Sequence, residues 1–212
     1  MLLLFQVKYI KMTKRNISIL LNISIVIMEI IAFIVTIQYN GKITPEFYTE
    51  QSNFLAMISS ALFVYYAIFK KDIPKWVTYL KYMATIGLVL TILVVIFILC
   101  PENGNNFAFM LFFKSLLVHH FLAPIIGFIT FVFFDGIKLT TIKDNFIGMI
   151  FTLIYGIIIM PLNIIKVIDG PYPFLRVYHQ PVWKSVLLVV FLLSFAYAIG
   201  YVIRKLQCKV NK

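Results

Sequence analysis

Six runs of about twenty consecutive apolar residues constrain this chain more tightly than any other feature. A helix of ~20 apolar residues covers the ~30 Å hydrocarbon core of a bilayer. In that solvent every backbone N–H and C=O must be satisfied within its own segment, which leaves helices or a closed barrel. The runs fall at roughly 16–38, 50–69, 78–100, 112–134, 145–167 and 183–203. Each stops at a marked boundary, such as "KKDIPK" after the second, "CPENGNN" after the third and "RKLQCKVNK" after the last. Runs of this length predict an all-α, polytopic membrane protein: one six-helix transmembrane domain over residues 1–212 with both termini cytoplasmic.

Composition agrees. Of 212 residues, 62% are hydrophobic and only 13% charged, far from the balance of a soluble domain. The net charge of +11 raises the question of nucleic acid. No basic helix or aromatic–basic patch is present, and the Lys and Arg residues punctuate the apolar runs instead. That pattern sets topology, so no nucleic-acid partner is expected. With both termini inside, fourteen of the nineteen basic residues fall on the cytoplasmic side, Lys81, Lys138 and Arg204 among them. The predicted location is therefore the cell membrane. Residues 1–11 precede "MTKRN", a plausible native start at Met12, and are expected to have no structural role.

The inventory excludes several chemistries. Cys100 and Cys208 are expected at opposite membrane faces, too far apart to pair, and no zinc spacing occurs. The third histidine, His179, lies in a loop, so opposed haem ligands are not available. Phosphate-binding glycine motifs are absent. No metal and no cofactor are predicted.

Ionisable and polar residues inside a bilayer are costly and by default mark a site. At ~1.5 Å per residue from the inner ends, Glu29 lies ~21 Å up the first run, in the outer third. Thr49, Gln51, Ser52 and Asn53 fall at or just under the outer surface, as does Asn163. The pair His119–His120 lies ~6–8 Å beneath it. Four runs thus place polar residues in one layer. Thr49, Ser52 and Asn53, at i, i+3 and i+4, share one helical face. His119 and His120 stand ~100° apart, so one is expected to face the layer and the other to be structural. Pro124 leaves the carbonyl of His120 without its helical partner, which favours local opening there and His120 as the inward residue. The plainer reading is that Ser and Thr bond to their own backbone or join helices. Met160–Pro161 reads as a kink.

A hydroxyl opposite an imidazole is the minimum for acyl transfer, with a carboxylate behind the base to orient it. Thr49 or Ser52, His119 or His120, and Glu29 supply these types. Gln51 and Asn53 are candidate oxyanion donors.

Three segments, "FYTEQSNFL" (47–55), "HHFLAP" (119–124) and "DGPYPFL" (169–175), resemble in order and spacing the androgen-induced membrane protein family and its bacterial relatives. The resemblance spans most of the chain. Animal members are threonine hydrolases of fatty acid esters of hydroxy fatty acids, working within the membrane. The resemblance implies Thr49 as nucleophile and a histidine before a proline as base. An interval of five selects His119, and an interval of four selects His120. It also places Tyr172 in the family's "YPFL" element. The sequence differs from the animal pattern in having Glu50, Gln51, Ser52 and Asn53 after the threonine, and in lacking an acid soon after Pro124.

The resulting expectation is an intramembrane lipid-ester hydrolase at the outer leaflet, with catalytic Thr49 and His120 or His119. Glu29, Gln51, Ser52, Asn53, Asn163 and Tyr172 are expected to support the site or bind substrate. The partner is a membrane lipid or fatty-acyl ester. The alternative is a small proton-coupled transporter or lipid-binding membrane protein without hydrolytic activity.

Overall fold

The computed structural model describes residues 12–70, 72–137 and 139–210. The extension at 1–11, Lys71, Lys138 and Lys212 lie outside the described residues, and with them five of the lysines counted as topology signals. All regular structure among those residues is helical, and six helices are long and apolar enough to cross a membrane. They are α1 (Lys14–Asn40), α2 (Tyr48–Lys70), α3 (Lys75–Glu102), α5 (Leu117–Phe134), α6 (Ile142–Ile164) and α7 (Val182–Val210). A short α4 (Phe107–Phe112) precedes α5.

Four of the helices match the predicted runs to within three residues, and α7 starts at its run but continues seven residues beyond it, to Val210. The fourth run differs: α5 begins at Leu117, five residues inside it, after a turn where Lys114 adopts a left-handed φ of +52°. Its first residue, Phe112, closes α4, and the turn Phe113–Leu116 that follows is too short a break, with Lys114 and Ser115 its only polar residues, to interrupt the run's hydropathy. Pro161 lies inside α6, which continues to Ile164.

Local signals explain the ends. Thr13 caps α1 by accepting from Asn16 N–H at 3.2 Å. Gly41 closes it with φ +76°, donating to Ile37 O at 2.8 Å. Thr141 and Asp144 form a reciprocal capping box on α6. Four stretches widen into π register, among them Leu117–Leu122, where the Ala123 N–H reaches back to Val118 O. Pro124 follows directly, so the local opening expected near it is present.

Helix α3 is the central post, packing on α2, α5, α6 and α7. Tyr82 on α3 is fully buried, stacks on Phe131 of α5, and donates to Gly200 O of α7 at 2.7 Å. Gly148 of α6 permits that approach: a Cβ there would stand 2.4 Å from Tyr82 Cε1. The outer faces are apolar. Ile27, Ile31 and Ile34 of α1 and Val186, Leu187 and Val190 of α7 are all exposed.

The buried polar residues revise part of the sequence reading. Lys81, counted as a surface topology signal, is 3% exposed and pairs with Asp135 at 3.3 Å. Arg204 is also buried and donates to Asn145 Oδ1 at 2.8 Å. Asp135, just past the end of α5, accepts from Ser18 at 2.6 Å and Asn22 at 3.0 Å. A charge at the end of an apolar run reads the same whether it faces water or a partner on another helix.

Candidate functional site

The first turn of α2 brings the three motif segments together. Its opening N–H groups have no intrahelical acceptor. The Thr49 N–H finds one in the Tyr172 hydroxyl, at 3.2 Å, and Thr49 Oγ1 lies 3.2 Å from the same oxygen. Burial raises the Tyr172 phenol above its ordinary pKa, so it remains a neutral hydroxyl. Tyr172 is fixed by stacking on Phe174 at 5.2 Å and by an edge contact to Phe47 at 5.4 Å. Asn163 holds the same loop by donating to Leu175 O at 2.6 Å.

One turn on, Asn53 links the first motif to the second. Its side-chain amide donates to Thr49 O at 2.8 Å and to His119 O at 3.1 Å. The His119 ring meets α1: Nε2 lies 3.4 Å from Glu29 Oε2, without hydrogen-bond geometry. Phe33 packs on this ring at 4.9 Å. His120 Nδ1 lies 2.6 Å from Met110 O, so that nitrogen carries the hydrogen and donates. His119, rather than His120, is thus the member of the pair that meets the polar residues Glu29 and Asn53.

Ser52 donates to Thr49 O at 3.0 Å and pairs with Thr91 Oγ1 at 3.1 Å, the backbone bonding that the plainer reading anticipates. Gln51 does not enter the site; it reaches Pro45 O at 2.6 Å. Glu50, unassigned in the sequence reading, takes the Thr44 N–H at 2.6 Å and its hydroxyl at 2.8 Å, tying down the loop before α2. The acid next to a turn rich in Thr and Pro was the available signal for that role.

Thr49 and Tyr172 also line the polar end of a crevice of about 800 Å3 between α3, α6 and α7. This volume suits a small-molecule or lipid-chain site, commonly ~300–1,000 Å3. Thr91, Thr152, Ser185 and the phenols of Tyr48, Tyr155 and Tyr178 are its other polar groups; the remaining lining is almost wholly aliphatic and aromatic. Ile157, Val186 and Val190 line it while remaining more than half exposed, so it opens sideways onto the apolar exterior. The structure therefore brings Thr49, Tyr172 and, through Asn163, the "YPFL" loop to the crevice. It gathers Glu29, His119 and Asn53 on the other flank of α2. Among the described residues no cluster of three His, Cys, Asp or Glu side chains suits a metal.

Fold and site together define a helical protein with six helices able to cross a membrane and a laterally open apolar crevice. No family model, curated protein or solved structure matches the chain.

Proposed function

We propose that this is an integral protein of the cell membrane that draws the acyl chain of a membrane lipid or fatty-acyl ester into the crevice. Thr49 then acts on the ester at the polar end. The observation that carries this reading is the Thr49–Tyr172 hydroxyl pair, 3.2 Å apart, at the end of an apolar crevice of about 800 Å3 that opens sideways. A chain entering from lipid stays in apolar surroundings, and its polar linkage meets the hydroxyl groups. The density of Lys and Arg near the Lys14 end supports placing that end in the cytoplasm and Thr49 toward the outer leaflet.

In the hydrolytic cycle the Thr49 oxygen bonds to the ester carbonyl carbon while an imidazole takes the hydroxyl proton. That proton passes to the departing alkoxide, and water then releases the acid and restores Thr49. His119 is the histidine joined to the Thr49 turn through Asn53. Its ring faces Glu29 in this structure, so the cycle requires it to swing toward the crevice. Lipid binding without hydrolysis needs no such movement. The orientation of the His119 and His120 rings favours that second reading.

A fluorophosphonate probe separates the two. Hydrolysis requires labelling of the purified protein that Thr49→Ala abolishes without loss of helix content. Absence of labelling, with a fluorescent fatty acid still bound and displaced by Val189→Trp, selects the binding reading. Labelling that survives Thr49→Ala removes Thr49 as nucleophile.

A further inference from the structure

Helices α1, α2, α3 and α5 enclose two buried polar centres that lie outside the crevice. At the Lys14 end, Asp135 is held by Lys81 at 3.3 Å, Ser18 at 2.6 Å and Asn22 at 3.0 Å. Lys81 also donates to Asn22 Oδ1. An opening of about 280 Å3, lined by Lys14, Arg15, Ser18 and Asp135, approaches this centre from the end of the bundle, while the carboxylate itself is buried.

The second centre lies seven residues farther along α1, ~10 Å at helical rise. Glu29 is fully buried there, facing His119. Neither Glu29 oxygen has a hydrogen-bond partner, nor does His119 Nε2 or Asn53 Oδ1. The orientation of the Asn53 amide is set by the two carbonyls that accept from its nitrogen, so its oxygen is fixed as an acceptor. Acceptors thus outnumber donors at this centre, and hydrogen is what completes it. Of the other titratable groups on the neighbouring helices, His120 is bound to Met110 O and Glu50 to Thr44.

One apolar layer separates the centres: Ile25, Ala56, Ala84, Leu88 and Ala123. Three of these five are alanines, so Ile25 and Leu88 supply the bulk of the fully buried layer, with Leu55, Val118 and Ile126 packed against it. Carboxylates and imidazoles inside a membrane bundle pair with one another and mark proton routes.

We propose that α1, α2, α3 and α5 form a proton pathway, with Glu29–His119 as the proton-binding site and Asp135 as the exchange site nearest the opening at the Lys14 end. A proton held on the Glu29–His119 pair leaves its oxygen or nitrogen, crosses the Ile25–Leu88 layer on transient water, and bonds to an Asp135 oxygen. Asp135 releases it into the opening, and Lys81 supplies the counter-charge to the restored carboxylate. The emptied pair takes up the next proton from water admitted transiently past Phe33, which packs on the His119 ring, so one enters for each that leaves. This pathway does not rest on the function of the crevice.

The test uses the full chain in phosphatidylcholine vesicles loaded with potassium and a pH-sensitive dye, with valinomycin imposing an inside-negative potential. Proton entry severalfold faster than in protein-free vesicles is expected. Glu29→Gln should return the rate to the protein-free value while keeping native helix content, and Leu88→Ala should increase it. If Glu29→Gln does not fold, His119→Gln reads the same step. Wild-type vesicles no faster than protein-free ones overturn the proposal, as does undiminished flux in a folded Glu29→Gln protein.

Discussion

Thr49 and Tyr172 lie 123 positions apart in the chain, yet their hydroxyl oxygens stand 3.2 Å apart at the polar end of the crevice. The contact satisfies a free N–H at the start of α2 and ties the loop between α6 and α7 to that turn. Removing it therefore has two consequences, one structural and one functional.

Tyr172→Phe keeps the ring stacked on Phe174 but leaves the Thr49 N–H without its acceptor. A buried donor left unpaired costs about 1–3 kcal/mol. Thermal unfolding in detergent should show a lower midpoint, and binding of a fluorescent fatty acid should weaken. An unchanged midpoint would mean that the phenol does not hold the loop.

The buried pair Lys81–Asp135 makes a sharper prediction. Asp135→Ala leaves the Lys81 ammonium inside the bundle without its anion, a loss of roughly 3–5 kcal/mol for pairs of this kind. Lys81→Met combined with Asp135→Ala should recover much of that loss, because no charge then remains buried. A double variant as unstable as the single one would show that the hydrogen bonds from Ser18 and Asn22 matter more than the charge.

Those two residues also show where the sequence is legible and where it is not. Helix existence was readable because apolar runs of this length have few folded solutions, and α1, α2, α3 and α6 match their runs closely. The turn at Phe113–Leu116 was hidden, since Lys114 and Ser115 are too short a break to interrupt the run's hydropathy. The same one-dimensional reading placed Lys81 and Arg204 at the surface, because a partner on a distant helix leaves no local trace. Periodicity grouped Thr49, Ser52 and Asn53 on one face of α2, and they do pack together. It gave no means of telling that Thr49 turns toward Tyr172 while His119 turns toward Glu29. That divergence depends on which helices flank α2. Gln51 shows the same limit, its amide being taken by Pro45 O in a loop whose course spacing cannot reveal.

Packing at the central post gives an independent check of the fold. Gly148 is in contact range of both Tyr82 and Ile86, and a Cβ would approach Ile86 Cδ1 to 2.5 Å. Gly148→Val should therefore destabilise by about 1–3 kcal/mol, the usual cost of overpacking. Gly156, whose Cβ would meet nothing within 4 Å, should accept alanine with no loss. Equal effects at the two positions would argue against this arrangement of α3, α6 and α7.

Orientation is open to cysteine labelling in intact cells, with Cys100 and Cys208 replaced. Single cysteines at 103–106 and 170–180 should react with an impermeant maleimide added outside. Positions 72–74 and 139–141 should react only after the membrane is opened. External reactivity at 72–74 would reverse the bundle and move Thr49 to the inner leaflet.

The central claim is that a lipid chain occupies the crevice beside Thr49, and photocrosslinking tests it most directly. A fatty-acyl ester with a diazirine near the end of its chain is incubated with the reconstituted protein, and the adducts are mapped by peptide mass spectrometry. The account predicts adducts on crevice residues such as Val95, Met160 and Val189, competed by unlabelled ester and lost in Val189→Trp. Adducts confined to the outer face of α1, at Ile27, Ile31 and Ile34, with none in the crevice, would contradict it.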